Sequence, residues 1–284
     1  MKLCVTSGIV EKTYAGTPVP FAETVEFAKN AGFEEFDLGL KAGELLRDDW
    51  EYLLEQKALT VSDAGMKIRY VHIPYDYPKP EAAEEWERFS LATERAIKKI
   101  NYLGADCAAI HPRSYMTTDY DEDVEYGEAY KFLAPYCELA HRENAVLAIE
   151  IMRGPGASAP SKMRRFGMDT DVLIELADKL DESICWDTGH ANISLQKQRK
   201  SILKIGNRLK MVHVNDNFME DDVHLAPFLG NINWSETISA LKEIGYTGSM
   251  NLEVKCNKQP DELRPAYAAY MAECGKYLIR MFEK

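Results

Sequence analysis

Five of the six histidines, His72, His111, His190, His213 and His224, fall at or just beyond the ends of short apolar runs, and Glu150 and Glu253 lie inside such runs. Their contexts are Val-His72-Ile-Pro, Ile-His111-Pro, Ile-Glu150-Ile, Trp186-Asp187-Thr-Gly-His190, Val-His213-Val-Asn-Asp, Asp222-Val-His224 and Leu-Glu253-Val. A single histidine at a strand end is ordinarily a hydrogen-bonded packing residue. A carboxylate within an apolar strand is different, because burying it is costly unless it is paired or bound to a metal. Two glutamates, an aspartate and several imidazoles converging on one place form an acidic cluster that calls for a cation. One divalent ion, Mn²⁺, Zn²⁺, Co²⁺, Fe²⁺ or Mg²⁺, suits mixed carboxylate and imidazole ligands, whereas a dedicated Ca²⁺ or thiolate site does not.

Convergence requires a scaffold, and the periodicity supplies one. Short β-branched-rich runs at 3–6, 35–38, 68–73, 107–111, 146–151, 184–187, 211–214 and 249–254 alternate with segments of helical spacing at 20–31, 48–65, 81–103, 122–143, 169–180, 194–205, 233–244 and 261–282. Gly32, Gly65, Gly104 and Gly245 close four of the helical segments, where a left-handed glycine turns the chain back toward the next strand. Strict βα alternation implies a parallel sheet, and eight units with nothing left over imply an α/β fold of the (β/α)8 TIM-barrel type, one domain over residues 1–284. Such barrels place their sites at the C-terminal ends of the strands, where the histidines and carboxylates stand. An open doubly wound sheet is the alternative, but no Gly-x-Gly-x-x-Gly follows the first strand, so no nucleotide cofactor is expected.

Composition agrees with one large domain. The 284 residues are 46% hydrophobic and 28% charged, with a net charge of −12, which disfavours nucleic acid as a partner. The six cysteines form no Cys-x-x-Cys pair and are expected to be buried free thiols of a reducing compartment. With no apolar stretch of membrane-spanning length and no secretory signal, the expected location is the cytoplasm, with no membrane partner.

Four segments in order, Trp186-Asp187-Thr188-Gly189-His190, His213-Val214-Asn215-Asp216, His224-Leu225-x-Pro227-x-x-Gly230-x-Ile232-x-Trp234 and Leu252-Glu253, make the chain resemble the xylose isomerase-like TIM barrel superfamily. That superfamily holds sugar isomerases and epimerases, inosose dehydratases and endonuclease IV-type apurinic endonucleases. The resemblance implies a metal held by Glu150, Asp187, His213 and Glu253. It also implies Glu150 and Glu253 as catalytic acid and base, a sugar, sugar phosphate or polyol as substrate, and a homo-oligomer. His190 would reach the substrate in the sugar branch. In the endonuclease branch three zinc ions are held, with His72, His111, His190, Asp222 and His224 as further ligands, and every one of these positions carries the matching residue type. Ketohexose 3-epimerases carry an arginine where Met219 stands and a second glutamate shortly after Glu150, where this chain has Arg153 and glycines; a free ketohexose does not follow.

The expected chemistry is proton transfer next to a carbonyl, with a cation stabilising the enediolate and two carboxylates moving the proton. Isomerisation, epimerisation and elimination differ in where the second proton goes. A keto-sugar or inosose dehydratase or lyase, including C-glycoside cleavage, would therefore use the same residues. The other readings are the zinc endonuclease and a non-catalytic sugar-binding barrel. Substrate contacts are expected from His72, His111, His190, His224, Trp186 and Arg153, with Trp234 weighed as a second wall of the sugar site. Arg153, Lys162, Arg164 and Arg165 gather in the loop after strand five, where they either hold an anionic group or offset an acidic surface. Residues 154–161 of that loop read as a lid.

Overall fold

Alternating strands and helices are the rule along the chain. The computed structural model describes residues 1–79, 81–160 and 162–284, so Ser161 of the expected lid lies outside the described residues. Strands β1 (Leu3–Thr6), β2 (Glu35–Gly39), β3 (Lys67–His72), β4 (Cys107–Ile110), β5 (Leu147–Glu150), β6 (Ser183–Asp187), β7 (Leu209–His213) and β8 (Met250–Leu252) form one parallel sheet in the order β7-β6-β5-β4-β3-β2-β1-β8. Its two ends meet: Val214 N–H donates to the Asn251 carbonyl at 2.8 Å, and Glu253 N–H donates to the Val214 carbonyl at 3.0 Å. The result is a single (β/α)8 barrel.

The helices are α1 (Phe21–Ala31), α2 (Ala42–Leu45), α3 (Trp50–Asp63), α4 (Ala83–Lys99), α5 (Glu122–Arg142), α6 (Thr170–Leu180), α7 (Thr188–Ile193), α8 (Gln198–Ile205), α9 (Trp234–Glu243) and α10 (Arg264–Glu283). Two helices stand between β6 and β7: the one expected over 194–205 begins only at Gln198, as α8, and α7 precedes it outside that range. Asp187 caps the first directly at the end of β6, and Leu195, at φ 57°, breaks the run before α8 begins. Gly32 shows why glycine ends these segments: at φ 99° its N–H reaches the carbonyls of Ala28 and Lys29, a conformation costly for a residue with a Cβ. Among the described residues no helix is long and apolar enough to cross a membrane.

Two-residue periodicity sorts the strand side chains. One set, with Phe36, Ile149, Trp186 and Val212, packs outward in the main core under the helices. The other faces inward, where Cys4, Tyr70, Cys107, Ala109, Ala148, Cys185 and Met211 form a separate buried cluster. All six cysteines are buried and unpaired. Two residues beyond Tyr70, Ala109, Ala148, Cys185 and Met211 along the same inward face come His72, His111, Glu150, Asp187 and His213.

Candidate metal centre

Glu150, Asp187, His213 and Glu253, from the ends of β5, β6, β7 and β8, each bring a ligand atom to one place, and these atoms lie within 4.8 Å of one another. Glu150, Asp187 and His213 are fully buried, and the Glu253 side chain is 19% exposed. His213 sits between the carboxylates, its Nδ1 3.2 Å from Glu150 Oε1, 3.4 Å from Glu253 Oε2 and 4.0 Å from Asp187 Oδ2. Its other nitrogen, Nε2, donates to Asp37 Oδ2 at 3.2 Å, and Asn251 Nδ2 donates to the same oxygen at 2.8 Å. A carboxylate behind a histidine fixes the ring and aims the opposite nitrogen at a cation. Glu253 Oε2 is buried without a hydrogen bond, as a ligand oxygen would be. Three carboxylates and an imidazole nitrogen so disposed fit a divalent cation.

Glu150 is the most heavily engaged of the acids. His72 Nε2 (3.2 Å) and His111 Nε2 (3.1 Å) approach its Oε2, while His213 and His190 (3.3 Å) approach Oε1. Burial opposes its ionisation, but His213, His111 and His190 outweigh burial and hold it well below the usual carboxylate range. Asp187 goes the other way. Burial pushes it up to about 7, with Glu253 and Glu150 adding repulsion against the pull of His190 and His213. Glu253 is held at about 2, where His213 and His224 overcome burial. A second cluster stands beside this one: His190 Nε2 (3.4 Å) and His224 Nε2 (3.3 Å) both face Asp222 Oδ2.

The motifs have physical explanations. In Asp187-Thr188-Gly189-His190, the Asp187 carboxylate accepts the His190 N–H at 2.7 Å and so starts α7. Thr188 Oγ1 donates to the Asn215 carbonyl at 2.7 Å, tying the ends of β6 and β7 together. A Cβ on Gly189 would stand 1.9 Å from Asn215 Oδ1, so only glycine fits. Asp216 accepts from Phe228 N–H, Ile232 N–H and Trp234 Nε1, which folds the segment from His224 to Trp234 over the barrel mouth.

One expected contact is corrected. Trp186 points away from the site because it alternates with Asp187; it is fully buried in the main core, and its indole donates to Gln198 on α8 at 2.7 Å. Trp234 likewise packs at the start of α9 and holds Asp216 rather than walling a ligand. His72, His111, His190 and His224 do gather at the centre. Arg153 lies half-buried in the loop after β5. Sequence reasoning missed Asp37, although a carboxylate in the run Phe36-Asp37-Leu38 carries the same signal as Glu150. It also missed Tyr75, whose ring lies 4.9 Å from His72 and 5.1 Å from His111. Tyr75, Asp37, His72, Glu253 and Lys255 help to line a cavity of about 320 Å³ beside the centre.

Residues 25–274 match the family model described as xylose isomerase-like TIM barrel. An uncharacterized protein of Methanocaldococcus jannaschii is 28% identical over 195 residues, which cover 65% of this chain and 64% of that protein. A probable endonuclease 4 of Mycoplasmopsis agalactiae is 26% identical, over 59% of this chain and 58% of its own length. A D-psicose 3-epimerase of Enterocloster bolteae is 24% identical, over 61% and 55%. The chain thus spans less than two thirds of each of these three. Among solved structures, a D-tagatose 3-epimerase-like protein superposes with a TM-score of 0.74 at 21% identity, covering 100% of this chain and 98% of the other. The zinc-bound IOLI protein superposes with a TM-score of 0.73 at 14% identity, with the same coverage. The chain belongs to the xylose isomerase-like TIM barrel family.

Proposed function

We propose that the chain is a divalent-metal-dependent sugar isomerase or epimerase that moves a proton next to a carbonyl, with Glu150 and Glu253 as acid and base. The observation that carries this reading is the ring of Glu150, Asp187, His213 and Glu253 from four successive strand ends, beside a cavity large enough for a sugar. When bound, a divalent cation at these four residues supplies electrophilic stabilisation of negative charge on substrate oxygens next to the carbonyl.

The two glutamates differ in what they offer. Glu253 lines the cavity and is ionised at neutral pH, so it is the base that removes the proton. Glu150 is surrounded by imidazoles, and proton return from its side passes through His72, which lines the cavity as well. Burial opposes protonation of His72 but Glu150 outweighs it and raises its pKa, so His72 can carry the returning proton, while burial pushes the His111 imidazole down to about 4 and keeps it neutral. His190 and His224, fixed against Asp222, are placed to orient substrate hydroxyl groups. The names of relatives, sugar epimerases among them, support the same class.

The test is deuterium exchange from solvent into a panel of ketoses, ketose phosphates, sugar acids and inososes with Mn²⁺, Co²⁺, Mg²⁺ or Zn²⁺. Exchange abolished by Glu253→Gln, with folding retained, is the expected result, and product analysis separates epimerisation from loss of water. Exchange unaffected by Glu253→Gln and Glu150→Gln overturns the two-carboxylate mechanism. A zinc endonuclease is the second reading, favoured by the Asp222, His190 and His224 cluster and by the His72 and His111 pair on Glu150. Three Zn²⁺ per chain with salt-sensitive nicking of abasic DNA would establish that reading instead.

A further inference from the structure

The four basic residues after β5 are not equivalent. Lys162 is exposed, and Arg164 lies over the Tyr120 ring at 5.4 Å. Arg165 instead turns inward, where its Nε donates to the buried Ser114 Oγ at 2.8 Å. Backbone pairs hold it from both sides: Arg164 and Thr117 exchange N–H to carbonyl bonds at 2.8 and 2.9 Å, and Met152 N–H donates to the Gly167 carbonyl at 2.8 Å. Ser114 follows His111 by three residues and Met152 follows Glu150 by two. The guanidinium is therefore anchored to the same two strand ends that carry His111 and Glu150.

Charge pairing is the unusual feature. Arg69, Arg113, Arg199 and Arg208 each face a carboxylate. Among the described residues no carboxylate lies within ion-pair distance of Arg165 or Arg153, and Ser114 takes only one donor of the Arg165 fork. Burial lowers the Arg165 pKa and the charge of Arg153 adds to that, against the pull of Tyr77, Glu150 and Asp222. Arg165 is half-buried with fork donors open, and the Met152–Gly167 backbone pair brings the half-buried Arg153 segment alongside; guanidiniums so placed are stabilised by an anion that takes both. A chain of net charge −12 with Glu150, Asp187, Asp222 and Glu253 at one mouth repels anions unless local cations offset that field.

We infer that Arg153 and Arg165 form an anion subsite beside the metal centre, and that the substrate is a sugar bearing a phosphate or a carboxylate. The subsite stands on the arginines alone; its assignment to a substrate rests on the proposed proton-transfer reaction. Selection works by geometry: the anion anchors one end of the sugar on the β4 and β5 side while the carbonyl end lies at the centre.

Binding and turnover test the two statements separately. Inorganic phosphate and D-glucuronate are titrated calorimetrically into the full chain loaded with Mn²⁺, at low and high salt. At least one is expected to bind in a salt-sensitive way, and Arg165→Gln and Arg153→Gln are each expected to weaken it about tenfold or more. Mn²⁺ affinity and melting temperature stay unchanged. Tighter phosphate assigns sugar phosphates, and tighter glucuronate assigns sugar acids. Arg153 makes no side-chain hydrogen bond among the described residues, so Arg153→Gln keeps the test open if Arg165→Gln fails to fold. Anion binding that survives both changes is held by the metal and overturns the subsite, as does binding lost only in Lys255→Gln on the other rim. Anion binding intact with no exchange into any sugar leaves the subsite and sinks the reaction; exchange on neutral ketoses with no anion binding does the reverse.

Discussion

Along β3 to β7 a step of two residues changes the barrel interior from an apolar floor of Tyr70, Ala109, Ala148, Cys185 and Met211 to a rim of His72, His111, Glu150, Asp187 and His213. Both levels are buried, and they meet opposite energetic demands. The floor gains from excluding water and from close packing, so its residues are small or shaped to fill the barrel. The rim loses hydration of its charges and recovers it through mutual contacts, as the four imidazoles around Glu150 show. Stability and chemistry are thus divided between alternate residues of the same strands, and substitutions at the two levels should separate them.

The sharpest break is at the rim. Glu253→Gln keeps the shape of the side chain and removes the proposed base, so proton exchange should fall by about 10²–10⁴-fold in a solvent deuterium assay. Circular dichroism should show the barrel intact. The counterpart at the floor is Met211→Ala. Met211 is fully buried, and truncation should cost about 2–5 kcal/mol in denaturant unfolding while Mn²⁺ binding per folded molecule is retained. If Met211→Ala abolished metal binding in folded protein, or Glu253→Gln unfolded the chain, the division between levels would be wrong.

How much of this the sequence made legible follows from the same alternation. A charged residue inside an apolar strand announces itself, so Glu150, Asp187, His213 and Glu253 were readable, and eight β-rich runs made the barrel readable with them. Trp186 was misread because an aromatic beside Asp187 was assigned to the site without counting faces: one residue along a strand is the opposite side of the sheet. Helix α7, ahead of the helix expected over 194–205, was hidden because Asp187 serves both as a rim carboxylate and as the cap of α7. Arg165 was one of four basic residues in a loop; only Ser114 and the backbone pairs around Thr117 and Gly167 tell it apart from Lys162, and those contacts are tertiary.

Asp37 tests the support beneath the rim. It lines the cavity and receives His213 Nε2 and Asn251 Nδ2. Asp37→Asn removes the charge that orients His213 and should lower Mn²⁺ or Zn²⁺ affinity by about 10–100-fold, measured by competition with a chelator. An unchanged affinity would mean that His213 is positioned by packing alone.

The smallest effect is one of pH. Asp187 is raised to about 7 and His213 is raised well above its ordinary value, so both carry protons in the chelated protein below neutrality. A metal ligand must shed its proton, so binding should release protons, and affinity should weaken as pH falls below about 7 by roughly tenfold per unit for each proton displaced. For stability the sign for Asp187 is the reverse of a salt-bridged acid. Its folded pKa lies above the unfolded value near 3.9, so its contribution is full below that value and is lost as pH rises through about 7. His111, pushed down to about 4, contributes oppositely: its stabilisation is present above about 6.5 and is lost as pH falls through 4. The two nearly offset in a melting curve between these limits. Proton release, read by calorimetry of metal binding in buffers of different ionisation enthalpy, isolates Asp187 and His213. At pH 6 it should approach two protons per metal in the wild type and one in Asp187→Asn; equal release in the two proteins would remove Asp187 from the ligand set.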